Sequence, residues 1–141
     1  MRAIELGVKP ENIYGIDIDP LAVEITKKRI KEKTGYISEN IICADFLEKY
    51  KENGLEEYDL IYTNPPWGKK IDKKDKEFYA NLLNAGTSND TCSLFFFASL
   101  SLLKKNGNLG LLVPEAFFNV AAFEAARQEM LKLSLIHISE P

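Results

Sequence analysis

An α/β fold, with a mostly parallel sheet and helices on both of its faces, is what the order of elements in this 141-residue sequence predicts. Three observations lead there. Strand-like apolar runs at residues 13–19, 40–45, 58–64 and 108–114 alternate with helix-like stretches. The first three runs close on polar residues: Asp17 and Asp19, then Asp45, then Asn64. No internal repeat or low-complexity linker interrupts the series. Right-handed crossovers would put the carboxyl ends of parallel strands on one edge, where open sheets bind ligands.

The elements follow in order. Residues 1–7, MRAIELG, read as the tail of a helix closed by Gly7. After the first strand, Asp19 is placed as an N-cap with Pro20 at the first helical position. The helix LAVEITKKRIKEK directs Leu21, Val23, Ile25 and Ile30 toward one face and gathers basic residues near its end, where cations suit the dipole. FLEKYKEN is a short helical or loop connection, and residues 68–76 form a charged loop. A short helix is expected over 77–84, then a loop, TSND, ending in a cap. CSLFFFASLSLLKK is a strongly apolar helix closed by Asn106-Gly107, and VAAFEAARQEMLKL is the last helix.

The length suits about one domain. With 45% hydrophobic and 28% charged residues the chain reads as soluble and globular, and no apolar run or leader pattern marks a membrane span or a signal peptide. A cytoplasmic compartment is the default expectation. Cys43 and Cys92 are too isolated for a disulfide framework or a metal ladder, so both are read as buried free thiols. A net charge of −3 gives no global signature of nucleic-acid binding. The five lysines of GKKIDKKDK form a local basic patch that suits either solvent or phosphates.

The stretch YDLIYTNPPWGKK carries the sharpest signal. Two prolines remove two backbone donors and hold the residues before them extended. At Asn64-Pro65-Pro66-Trp67 this makes a stiff corner at a strand end. The Asn64 side-chain oxygen and the Pro65 carbonyl oxygen form a fixed pair of acceptors suited to both hydrogens of a planar NH2 group. Trp67 can stack on the flat group that carries it. Asp17 suits the hydroxyls of a ribose and Asp45 an exocyclic amine, although each carboxylate equally suits a role as the cap of the helix after it.

GIDIDP, CADF and NPPW, at these spacings, resemble successive motifs of S-adenosylmethionine-dependent amino-methyltransferases, and most closely the N6-adenine DNA methyltransferases of restriction–modification systems. The resemblance covers residues 1–133 and includes LLKKNGNLGLLVPE. It implies a Rossmann-like fold, S-adenosylmethionine as cofactor, and DNA with a flipped adenine as partner, with a restriction or specificity subunit as a further partner. It implies that Asp17 contacts the cofactor ribose and Ile18 its adenine, with Asp45 and Phe46 around the adenine amine and ring. Asn64, Pro65, Pro66 and Trp67 would hold the target base. Neither a metal nor a cysteine nucleophile is required. Related corners also serve methyltransferases acting on glutamine side chains or RNA amines, and a catalytically dead binding fragment would share the fold.

Two departures accompany the resemblance. The family's glycine-rich cofactor loop and the central strand before it have no counterpart here, so an amino-terminally truncated domain, inactive alone, is expected over residues 1–133. SLIHISEP at 134–141 breaks the helical pattern and resembles translated adapter read-through. It is expected to be a non-native tail, with no role for His137.

Overall fold

The computed structural model describes residues 1–66, 71–86 and 90–138, with side chains in the last helix to residue 133. The chain divides into two compact units, Met1–Gly54 and Leu55–Pro141.

In the first unit, helix α1 (Arg2–Glu5) ends before Gly7, whose φ of +91° is the left-handed turn expected there. Strand β1 (Gly15–Asp17) precedes helix α2 (Pro20–Thr34), which starts and stops as the sequence predicts. Asp19 Oδ1 accepts from the Leu21 amide at 2.9 Å, Pro20 takes the first helical position, and Gly35 at φ +75° closes the other end. Strand β2 (Ile41–Cys43) lies parallel to β1, with Gly15 opposite Ile41 and Asp17 opposite Cys43. Helix α3 (Phe46–Lys51) follows directly.

Val23, Ile30 and Ile41 form the core of this unit, with Ile4, Ile13 and Tyr36 packed around them. The predicted apolar face of α2 is corrected here: Val23 and Ile30 are buried, but Leu21 and Ile25 are exposed. At 3.6 residues per turn, residues two before and two after Val23 project close to the opposite side of the helix. Cys43 is also exposed, against the expectation of burial, and its thiol points to the Ile18 carbonyl at 3.6 Å.

The second unit is built on strands β3 (Tyr58–Thr63) and β4 (Leu103–Leu111), which run parallel. Their register pairs Ile61 with Leu109, Tyr62 with Gly110 and Thr63 with Leu111. Between them in sequence lie helices α4 (Lys73–Leu82) and α5 (Thr91–Ser101). Asp90 caps α5, its Oδ1 accepting from the Ser93 amide at 2.8 Å. After two 3-10 turns, Glu115–Phe118 and Ala121–Phe123, helix α6 spans Glu124–Ile138.

Helix α5 is apolar on all sides because it is enclosed, with Cys92, Leu94, Phe96 and Ala98 all buried. Cys92 and Phe96 join Phe117 and Ala126 in the core, against Leu109, Leu111, Val113, Phe123 and Met130. The Arg127 guanidinium fastens the turn after β4 by donating to the Phe117 and Val120 carbonyls, both at 2.7 Å.

Three boundaries depart from expectation. Helix α4 begins at Lys73, so the later half of the predicted charged loop is helical. Helix α5 stops at Ser101, and Leu103 is already in β4; the Asn106-Gly107 pair forms a bulge inside the strand, with Asn106 at φ +65°. Helix α6 continues through Ile138, past the predicted break at 134, while residues 139–141 lie outside the described residues. The single sheet expected from the sequence is represented by two two-stranded parallel sheets, β1–β2 and β3–β4. No helix among the described residues is long and apolar enough to cross a membrane.

Candidate active site

The carboxyl ends of β1 and β2 hold the acidic residues. Parallel pairing puts Asp17 opposite Cys43, and the Ala44 amide donates to the Asp17 carbonyl at 3.0 Å, so the two strand ends advance together. Asp17 is exposed, and its Oδ1 accepts from the Asp19 amide at 2.9 Å. This bond folds the GIDIDP segment into a tight turn and engages one oxygen of the carboxylate. Ile18, at the tip of that turn, is 62% exposed. An aliphatic side chain held out beside two aspartates is poorly placed for a core and well placed against a flat apolar ring.

Asp45 resolves part of its ambiguity in favour of the cap. Its Oδ1 accepts from the Leu47 amide at 3.0 Å and the Glu48 amide at 3.3 Å, satisfying two donors at the start of α3. Leu47 is buried, anchoring the helix, and Phe46 beside it is partly exposed. In Asp17 one carboxylate oxygen organises the turn, and capping and ligand binding are compatible roles for a group with two oxygens.

The proline corner lies at the carboxyl end of β3. Strand alternation assigns its side chains cleanly: Ile61, Thr63 and Pro65 face the packed side, while Leu60, Tyr62 and Asn64 face outward. Pro65 is buried and Asn64 exposed. The fixed ring thus serves as an anchor, and the carboxamide is left available; no hydrogen bond joins it to another described residue. The neighbouring strand is locked on by the Leu112 amide, which donates to the Thr63 carbonyl at 3.0 Å. Asn64 lines a shallow concavity of about 520 Å³ with Tyr62, Thr63, Gly110, Leu111 and Leu112. Trp67 lies outside the described residues, as do Lys69 and Lys70 of the basic stretch. Lys73, Lys74 and Lys76 occupy the first turns of α4, where helix geometry leaves amides, not carbonyls, exposed.

Tyr62 and Gly110 were not singled out in the sequence. A Cβ on Gly110 would collide with Cδ1 and Cε1 of the Tyr62 ring, so the glycine is what lets the ring lie across the sheet. The available signal was YDLIYTN itself, in which Tyr58, Leu60 and Tyr62 alternate as one apolar face.

Among the described residues no cluster of His, Cys, Asp and Glu could hold a metal ion. The buried Cys92 is no nucleophile at neutral pH: burial first, and then the Asp90 carboxylate, push its thiol up to about 11.

Comparison with known proteins fixes the class. The model of the Eco57I restriction-modification methylase family matches residues 11–139, and the chain belongs to that family of restriction–modification DNA methyltransferases. At closer range it is similar to the Type II methyltransferase M.VspI of Vibrio sp. (strain 343), with 45% identity over 144 residues. That alignment takes in 100% of this chain and 35% of M.VspI, so the chain spans about a third of the length of this relative.

Proposed function

We propose that the chain is part of a longer S-adenosylmethionine-dependent enzyme that methylates the N6 amino group of adenine in DNA. On this reading residues 1–133 are a partial Rossmann-like catalytic domain, lacking the first, central strand of that fold, and the 141 residues alone are inactive. The observation that carries the reading is the exposed Asn64 carboxamide on a corner anchored by the buried Pro65. Membership of a restriction–modification family, and the name of the relative, favour DNA over RNA or protein as the polymer.

The residues of the first unit fit the cofactor. Asp17 offers a carboxylate oxygen for ribose hydroxyls, the exposed Ile18 offers an apolar surface for adenine, and Asp45 and Phe46 complete an acceptor beside an aromatic ring. When bound, S-adenosylmethionine supplies an electrophilic sulfonium methyl group.

The chain's own contribution to transfer lies at the corner. The lone pair of an adenine amine is delocalised into the ring, which makes the nitrogen a poor nucleophile. Asn64 Oδ1 and the Pro65 carbonyl accept from the two N–H groups and favour a pyramidal nitrogen, localising its lone pair. The carboxamide works as a positioned dipole and never ionises, so it costs no reorganisation during the reaction. The base must leave the duplex to reach these acceptors, and Trp67 replaces part of the stacking it loses.

The test uses a complete protein: M.VspI in which the matched stretch is replaced by these 141 residues. Asn64→Ala should lower methyl transfer by a factor on the order of 100 to 1,000, as for loss of one positioned hydrogen-bonding group, with cofactor affinity nearly unchanged. Equal loss of both would make Asn64 structural. Trp67→Ala should raise the KM for DNA by roughly 5- to 100-fold, the value of one stacked base, and unchanged kinetics would remove its stacking role.

A further inference from the structure

One peptide group at the ligand edge of the first unit is held from both sides. It joins Ile18 to Asp19, and its N–H donates to Asp17 Oδ1 at 2.9 Å. Its carbonyl, on the opposite side of the same plane, accepts from the Cys43 thiol at 3.6 Å. No backbone amide among the described residues reaches that oxygen. The two side chains of this clamp are cross-strand neighbours, since parallel pairing sets Asp17 against Cys43 and turns both to one face.

Stability is a poor explanation for the clamp. Asp17 and Cys43 are both exposed, and a thiol is a weak donor whose hydrogen bond adds little in water. Helix α2 already has its own start in the Asp19 cap and Pro20. What the clamp fixes is direction. A peptide plane tied at both its N–H and its C=O loses rotation about the Cα–C bond of Ile18. That residue is thereby set at the tip of the turn, 62% exposed. Ordering an apolar contact before its ligand arrives removes an entropic cost of binding.

We infer that Cys43 is a positioning residue of the cofactor pocket, its thiol holding the Ile18 carbonyl so that the Ile18 side chain is set for the adenine ring. The inference rests on Asp17 and Ile18 being cofactor contacts, as proposed. Cys43 touches no reacting atom, so its effect falls on cofactor affinity and leaves the chemical step alone.

Cofactor binding and turnover in the M.VspI hybrid test it. Cys43→Ala should raise the Kd for S-adenosylhomocysteine and the KM for S-adenosylmethionine by about 2- to 10-fold, the value of one ordinary hydrogen bond. The kcat at saturating cofactor and the KM for DNA should not change. Cys43→Ser keeps a donor at the position and should recover most of the lost affinity. Unchanged affinity in the alanine variant would overturn the inference. An equal loss in the serine variant would also overturn it, by assigning the effect to packing, as would a fall in kcat alone. These outcomes bear on Cys43 only, whereas a folded, unsubstituted hybrid that binds no S-adenosylhomocysteine would sink the proposed cofactor and this inference with it. Hydrogen exchange at the Asp19 amide gives an answer without the hybrid. In the 141-residue chain that amide should exchange about 2- to 10-fold faster after Cys43→Ala, with exchange in α2 unchanged. An Asp19 amide indifferent to the substitution would remove the clamp.

Discussion

The two units differ in how they spend their polar groups. In the first, the residues expected to hold a ligand are also local structural devices. Asp17 closes a turn and Asp45 caps α3, each through a carboxylate oxygen bound to backbone amides, the same device by which Asp19 caps α2. In the second, the anchoring task falls to an apolar ring, Pro65, and the neighbouring carboxamide of Asn64 is left in solvent. The cores differ in the same direction. The core cluster of the first unit is made of Val23, Ile30 and Ile41 on three-residue strands, whereas the second unit encloses Phe96 and Phe117 behind longer strands. A strand-end acid can therefore be shared between fold and function. Asn64 has no structural partner among the described residues to share with.

The comparison can be broken by stability measurements on each unit, using hydrogen exchange to follow them separately. Phe117→Ala should cost the second unit about 3–5 kcal/mol, the usual loss for a fully buried phenylalanine, and leave exchange in β1 and β2 nearly unchanged. Uniform loss across the chain would show that the two regions unfold as one. Asp45→Ala should destabilise α3 by about 1 kcal/mol, since two amides lose their acceptor. Asp45→Asn should recover most of that stability, because the carboxamide oxygen can still cap. If Asp45 also holds the cofactor as a charged group, the asparagine variant will restore helix stability but not cofactor affinity.

A smaller effect sharpens the contrast between the cysteines. Cys43 is exposed and Cys92 buried, so a thiol reagent at pH 8 should modify Cys43 first, with Cys92 slower by about 100-fold or more. The Cys92 thiol holds its proton up to about 11, against an ordinary 9.0, so its contribution to stability is intact below pH 9 and is lost as pH rises toward 11. Cys92→Ala should flatten that part of the pH–stability profile. A profile identical to that of the unsubstituted chain would show that other groups govern it.

Much of the fold was legible because its signals are local. Asp19-Pro20 marks a helix start whatever lies around it, and Gly7 marks an end by the left-handed backbone it permits. The run at 58–63 reads as a strand from its bounding residues alone. What was missed depends on distant contacts. Leu102 and Leu103 continue the apolar pattern of α5, but pairing with Tyr58 draws Leu103 into β4 and moves the Asn106-Gly107 turn inside the strand. Leu21 and Ile25 look like core residues, and the small first unit has no layer to cover them. For the site, residue types and strand-end positions of Asp17, Asp45 and Asn64 were readable. The outward turn of Asn64 and the flat Tyr62–Gly110 surface were not, because strand alternation fixes faces only once a partner shows which face is packed.

Identifying the nucleoside that carries the new methyl group probes the corner most directly. Duplex DNA treated with the M.VspI hybrid and isotopically labelled cofactor should yield N6-methyladenine, with the label reduced at least about 100-fold by Asn64→Ala. Label on cytosine, or label on adenine that survives the substitution undiminished, would contradict the assignment of an exocyclic adenine amine to the oxygens of Asn64 and Pro65.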